Sequence, residues 1–162
     1  MRGLHILQYN TGKSAGRQQT LLANPNIQDY DVITLQEPSY NPQTGGTHCS
    51  WRSGFWPVYE AWRRLSWVAL LFNRRLGIDD WCVEQVDDCI QMAQIETSQG
   101  LVQLINVYVM TDEGQVTLGS DSALRKVSEI FDGGLKCVLL DDFNLHHLFR
   151  GGQQVRQADE AV

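Results

Sequence analysis

Apolar residues run along this chain in short blocks whose spacing predicts strands, broken by stretches in which they recur at helical intervals. Leu4 to Tyr9 is an apolar and aromatic run, followed by the turn-prone Thr11-Gly12 and a polar stretch carrying Leu21 and Leu22. This order predicts strand, loop, helix. Ser14 suits the N-cap, and Asn24-Pro25 ends the helix because a residue before proline is pushed out of the α region. Val32-Ile33-Thr34-Leu35 is β-branched and apolar almost throughout, as a strand buried on both faces must be. Strand, helix, strand in so short a span is a βαβ unit. If its strands pair in parallel by a right-handed crossover, their C-terminal ends share one edge, and Asn10 and Glu37 lie together.

From Pro38 to Ser53 the composition is that of a loop, with turn signals at Asn41-Pro42 and Gly45-Gly46. Phe55 to Glu60 and Ser66 to Asn73 predict one hairpin. Gln91 to Glu96 and Leu101 to Met110 predict another, across Thr97-Ser98-Gln99-Gly100, so the middle of the chain reads as antiparallel. Ser120 to Phe131 places Leu124, Val127, Ile130 and Phe131 on one face of a helix capped by Ser120 and stopped by Gly133-Gly134. Cys137 to Leu140 is a last buried strand that runs directly into Asp141-Asp142-Phe143-Asn144.

Composition narrows the function classes. At 162 residues the chain accommodates one domain, taken as 1–162, with a real core. A net charge of −6 lacks the basic footprint of a module that holds nucleic acid mainly by neutralising phosphates. Cys49, Cys82, Cys89 and Cys137 have neither zinc-type spacing nor the density of a disulfide scaffold, which predicts free thiols. The N-terminus lacks a signal-peptide core, and the longest apolar run, Trp67 to Phe72, is too short to span a bilayer. A soluble intracellular protein with no membrane partner is expected.

Three apolar strands, ending at Tyr9, Gln36 and Leu140, each deliver polar side chains at once: Asn10, Glu37, and Asp142 with Asn144. Any one of these is explained by polar residues gathering where strands give way to loops. Brought to one sheet edge, two carboxylates and two carboxamides supply the hard oxygen ligands that Mg²⁺ takes, and few enough to leave room for water and a phosphate.

In order along the chain, Gln8-Tyr9-Asn10, Leu35-Gln36-Glu37-Pro38, Asn106-Val107-Tyr108 and Asp142-Phe143-Asn144 resemble the motifs of the endonuclease/exonuclease/phosphatase family. The run Asp142 to His147 followed by Gly151-Gly152 is most similar to the endonuclease domains of fungal non-LTR retrotransposons. The resemblance implies an α/β fold: a four-layer α/β sandwich with mixed sheets, present here in part, with its C-terminal part missing. It further implies Mg²⁺-dependent hydrolysis of DNA phosphodiesters, with Mn²⁺ as a substitute, and a nuclear location. By the same resemblance Glu37 holds the metal with Asn10, Asp142 orients or deprotonates the attacking water, Asn144 donates to a phosphate oxygen, and Tyr108 contacts the phosphate or positions the nucleophile. Asn10, Asn144 and Tyr108 are thereby also the substrate contacts.

Two departures qualify that expectation. Asp141 stands where the family motif has glycine, and the later Asp and Ser-Asp-His of the family do not occur before Val162. Impaired or absent turnover is therefore expected of this chain alone, with a sheet face that a partner or further segment covers. A non-catalytic remnant or pseudo-enzyme acting as a binding module is the alternative reading, and a phosphatase acting on a small phosphoester is the third. Several other features carry less. His146 and His147 lack zinc spacing. The stretch Trp51 to Arg75, rich in Trp and Arg, fits nucleic-acid contact or a hairpin with an aromatic core and solvated arginines. Asp79, Asp80, Glu84, Asp87 and Asp88 read as a solvated loop, and Gly12-Lys13-Ser14 lacks the spacing of a Walker A phosphate loop.

Overall fold

A computed structural model describes residues 3–59, 66–109, 111–112, 115–116, 125–130 and 136–142. The βαβ unit forms as its pattern predicts. Strand β1 (Ile6–Asn10) turns into helix α1 (Ala15–Ala23), and the chain returns as β2 (Val32–Gln36). The Ser14 hydroxyl accepts from the Arg17 backbone N–H, satisfying one of the helix's orphan donors, and Asn24, extended ahead of Pro25, closes the other end. β1 and β2 are parallel with Asn10 opposite Gln36, so both strands finish at the same level.

The loop after β2 holds a small antiparallel ladder, β3 (Tyr40–Asn41) with β4 (Gly46–Thr47). Gln18 of α1 ties this loop down. Its side chain, wholly buried, donates to Thr47 Oγ1 and the His48 carbonyl, both at 2.7 Å, and accepts from the Ser39 backbone N–H at 2.9 Å. The predicted hairpin follows as β5 (Phe55–Val58) and β6 (Val68–Asn73), and β6 lies antiparallel to β2. The first sheet therefore runs β1-β2-β6-β5.

The second sheet is built from β7 (Trp81–Asp87), β8 (Ile90–Thr97), β9 (Gly100–Tyr108) and, beyond a short pair β10 (Thr111–Asp112) and β11 (Gln115–Val116), β12 (Lys136–Asp142). Its order is β12-β9-β8-β7, with β12 parallel to β9 and the other pairs antiparallel. Strand β7 corrects the sequence reading of the acidic stretch. Ile78–Asp80 is a turn of 3-10 type and Asp88 lies in the turn after β7, but Glu84 and Asp87 belong to the strand itself. From Trp81 onward, Trp81 and Val83 pack inward while Cys82 and Glu84 face water, the alternation of a strand with one dry face. The Trp81 ring stacks on Phe72 at 4.0 Å, joining the two sheets.

Strand parity sorts the core into layers. Val32, Leu70 and Phe72 of the first sheet meet Ala93, Ile95 and Leu104 of the second between the sheets. Their alternating neighbours Ile33, Leu35, Ala69 and Leu71 pack outward with Leu21 and Leu22 of α1. On the far side Ile105 and Val107 pack with Val127 and Ile130 of the helical segment 125–130. Helix, sheet, sheet, helix is the layering that the sequence resemblance implies. Ser120, Leu124, Phe131 and the glycine stop of the expected last helix lie outside the described residues.

At the end of the sandwich away from Glu37, Arg75 fastens the first sheet. Its Nε donates to Asp31 Oδ1 at 2.7 Å and its Nη2 lies 2.6 Å from the same oxygen, while Asp31 Oδ2 accepts from the His5 backbone N–H at 2.8 Å. Arg75, although exposed, is thus bonded into the fold rather than loose in solvent. The aromatic content is not all core, since Trp51 is 71% and Trp56 43% exposed, and Arg74 sits 4.3 Å over the Trp56 ring. Trp62, Arg63 and Arg64 lie outside the described residues.

All four cysteines are free, as expected, but they are not equivalent. Burial first, and then Asp87 and Asp88, push the Cys89 thiol up to about 12, whereas Cys82 is exposed. At pH 8 a thiol of that acidity is only about one part in ten thousand thiolate, the reactive form. Maleimide labelling followed by peptide mass spectrometry should therefore modify Cys82 well before Cys89. Equal labelling of the two in the native protein would contradict this placement.

Candidate functional site

The three strand ends do come together, although at a rim shared by two sheets rather than on the edge of one. Asn10 and Glu37 end the parallel pair β1 and β2 of the first sheet, while Tyr108 and Asp142 end the parallel pair β9 and β12 of the second. The backbone register sets Asp142 directly beside Tyr108 and Leu140 beside Asn106. At the β1 and β12 edges, the Gln8 side chain donates to the Asp141 carbonyl at 2.5 Å, so the two sheets are tied where they finish. Asp141, in the glycine place of the motif, takes part through its backbone. Asn144, His146 and His147 lie outside the described residues, and Asp142 is placed here by its backbone alone.

Glu37 is the centre of the arrangement. Immediately after β2 its backbone turns left-handed, with φ 48°, a conformation that costs a residue with a Cβ roughly 1–3 kcal/mol. Three contacts hold it there. Its N–H donates to the Trp67 carbonyl at 2.8 Å, its own carbonyl accepts from the Lys13 N–H at 2.8 Å, and the Thr11 hydroxyl donates to that carbonyl as well. The side chain is then fixed by two donors on one oxygen: Asn10 Nδ2 and the Tyr108 hydroxyl each reach Oε1 at 3.0 Å. Asn10 is oriented in turn, because its Oδ1 accepts from the Gly12 N–H at 2.7 Å. Glu37 Oε2 is left without a protein donor among the described residues.

The layer beneath the site changes character. Near the Asp31 end the space between the sheets is apolar, but below Glu37 it is filled by amides. Asn106, with no exposed surface, donates from Nδ2 to the Leu35 carbonyl at 3.2 Å and the Ala69 carbonyl at 3.1 Å, and accepts from Gln36 Nε2 at 2.7 Å. One side chain of the second sheet thereby bonds two strands of the first, one residue before Glu37.

Sequence reasoning missed the aromatic side of the site. Trp67 stacks on Tyr108 with ring centroids 5.2 Å apart and planes 3° from parallel, and the Lys13 ammonium lies 3.4 Å from the centroid of the Trp67 ring. The turn between β7 and β8 positions the two aromatic residues, since the Trp67 N–H donates to the Asp88 carbonyl and the Tyr108 N–H to the Cys89 carbonyl, at 2.7 and 2.9 Å. The one available signal was a tryptophan standing just ahead of a strand that is apolar up to its last residue, Asn73. Among the described residues no group of three or more His, Cys, Asp or Glu side chains is placed to hold a metal ion. A cleft of about 850 Å³ opens between α1, the 41–53 loop and β5, but Asn10, Glu37 and Tyr108 do not line it.

This layering and this rim define a class of fold: the chain has the fold of the endonuclease/exonuclease/phosphatase nucleases. The solved structures it is similar to make that plain. The endonuclease domain of TRAS1, a telomere-specific non-LTR retrotransposon, superposes with a TM-score of 0.53 at 16% identity, over 90% of this chain and 61% of that one. D. rerio TDP2 in complex with a single-stranded DNA product gives 0.57 at 14% identity, over 89% and 62%, and truncated Caenorhabditis elegans TDP2 gives 0.53 at 14%, over 88% and 63%. The chain therefore spans just over three-fifths of the length of these structures. No protein-family model and no curated protein matches the sequence. No helix among the described residues is long and apolar enough to cross a membrane.

Proposed function

We propose that this chain carries the metal-binding half of a Mg²⁺-dependent phosphodiesterase site that acts on DNA. The observation that carries the proposal is the Glu37 side chain, fixed by Asn10 and Tyr108 through one oxygen and, among the described residues, given no donor on the other, at the rim where β12 ends in Asp142. The donor set fits the ion: Mg²⁺ takes oxygen ligands, keeps several waters, and is commonly bound by one or two carboxylates together with substrate phosphate. Bound there, the ion supplies stabilisation of the charge that develops on the phosphoryl oxygens.

The protein's own residues do the rest. Asn10 and Tyr108 hold the Glu37 carboxylate in one orientation, which removes the entropy of arranging it during the reaction. Tyr108 gives its hydroxyl proton to Glu37 and keeps the oxygen lone pairs, with which it accepts from the attacking water and positions the nucleophile. Asp142 orients the attacking water and accepts its proton, and Asn144 donates to a non-bridging phosphate oxygen; both roles come from the family resemblance. A retrotransposon endonuclease domain and a TDP2 solved with a single-stranded DNA product, both among the similar structures, support DNA as the substrate class over a small phosphoester.

The test separates metal binding from turnover. Mg²⁺ added to the protein should raise its melting temperature, because a ligand that binds only the native state stabilises it, and supercoiled plasmid should be nicked with Mg²⁺ and not with EDTA, at most slowly by these 162 residues alone. A melting temperature indifferent to Mg²⁺, together with no nicking, would refute the proposal. A rise in melting temperature with intact plasmid would establish the metal site and favour a binding module over an enzyme.

A further inference from the structure

The acidic balance of the chain makes its cations near the site informative, and two converge on the β1–α1 turn. Gly12 and Lys13 are consecutive left-handed residues, with φ 57° and 56°. This backbone turns the Lys13 side chain back across the rim, so that its ammonium rests 3.4 Å from the centre of the Trp67 ring. From the first turn of α1, Arg17 Nη1 lies 3.1 Å from the point where a side chain on Gly12 would begin. Lys13 is exposed, yet it is not loosely placed. Its N–H is bonded to the Glu37 carbonyl, the Glu37 N–H to the Trp67 carbonyl, and the Tyr108 ring is stacked on Trp67 while its hydroxyl is bonded to Glu37. The ammonium, the indole, the phenol and the carboxylate are thus one connected assembly.

An ammonium held against an indole keeps its charge and its outward donors while losing the freedom of its four-carbon stem, which is the preparation an anion receptor requires. We infer that Lys13, set by Trp67, is a phosphate-binding residue that grips the backbone of the DNA strand presented to Glu37. The inference rests on the phosphodiesterase reading for the identity of the polyanion only. The interaction itself is electrostatic and needs neither metal nor turnover. It also distinguishes this turn from a Walker A loop, whose backbone N–H groups cradle the phosphate: here the Gly12 and Lys13 N–H groups are already given to Asn10 and Glu37, and the side chain does the binding.

The experiment is the affinity of the protein for a fluorescent single-stranded oligonucleotide, measured by anisotropy in EDTA across a salt series. Lys13→Met should weaken binding and make the plot of log affinity against log salt shallower by about 0.7, the share of one phosphate contact on a single strand. Lys13→Arg should keep the slope, and Trp67→Leu should weaken binding with Lys13 still present. Because Lys13 is exposed and gives up only its contact with the Trp67 ring, Lys13→Met should lower the melting temperature slightly at most and stay fully folded at the assay temperature, which excludes a merely structural effect. An unchanged affinity and slope in Lys13→Met would overturn the inference. Weaker binding in Lys13→Met from a protein that neither binds Mg²⁺ nor nicks would uphold the inference and sink the hydrolase reading alone.

Discussion

Glutamine at position 37 is expected to abolish Mg²⁺-dependent nicking, by roughly 10²–10³-fold or more if the site contributes as much as a single preorganised electrostatic group elsewhere. The substitution isolates the charge. A glutamine side chain keeps the length of glutamate and still offers one oxygen to Asn10 and the Tyr108 hydroxyl, so the bonds that orient the group survive. What changes is the second oxygen, which becomes an NH₂ that repels a cation. The Mg²⁺-induced rise in melting temperature should therefore vanish, while the metal-free melting temperature stays close to that of the parent. Tyr108→Phe makes the useful contrast, since it removes one orienting bond and leaves the carboxylate, and it should weaken the metal effect without erasing it. Wild-type nicking and a wild-type Mg²⁺ response in Glu37→Gln would show that the cation sits elsewhere.

The second large effect is expected on stability. Asn106→Ala should destabilise the protein by about 3–5 kcal/mol, from a buried Gln36 donor left unpaired, two backbone carbonyls deprived of a donor, and the void where the amide stood. The placement makes the loss severe: Asn106 has no exposed surface, so water cannot replace the missing partner. Asn106→Asp, nearly the same shape, should do no better. It presents an oxygen to the Leu35 and Ala69 carbonyls in place of the N–H that each accepts from. Urea unfolding monitored by tryptophan fluorescence gives the measurement, and a loss under about 1 kcal/mol for Asn106→Ala would mean the cross-sheet amide is dispensable.

Much of this architecture is legible in the sequence wherever its cause is local. Ser14, the Asn24-Pro25 stop and the apolar run Val32 to Leu35 specify the βαβ unit because capping, proline sterics and strand burial act over a few residues. Asn10 and Glu37 could be singled out for a related reason, since each comes at the end of an apolar strand, whereas Tyr108 is marked only by the family motif. Strand β7 was obscured because Asp79, Asp80 and Glu84 crowd the same window as Trp81 and Val83, and acidic density masks a period of two. That β12 joins β9 and not the β1–β2 sheet depends on pairing between distant segments, which no short pattern encodes. The left-handed backbone of Glu37 and the Lys13–Trp67–Tyr108 assembly were hidden for the same reason, since each is created by bonds between residues far apart in the chain.

The strict division of labour along β2 carries an implication for how genes of this kind can change length. Odd-numbered Ile33 and Leu35 serve the helix-facing layer, and even-numbered Val32 and Gln36 serve the layer between the sheets. Deleting a single codon inside this strand would swap the two sets and turn Gln36 away from Asn106, whereas removing two would shorten the strand and preserve its facing. Viable length variation should accordingly fall in the 41–46 turn or at the 97–100 hairpin tip, where no such parity has to be kept.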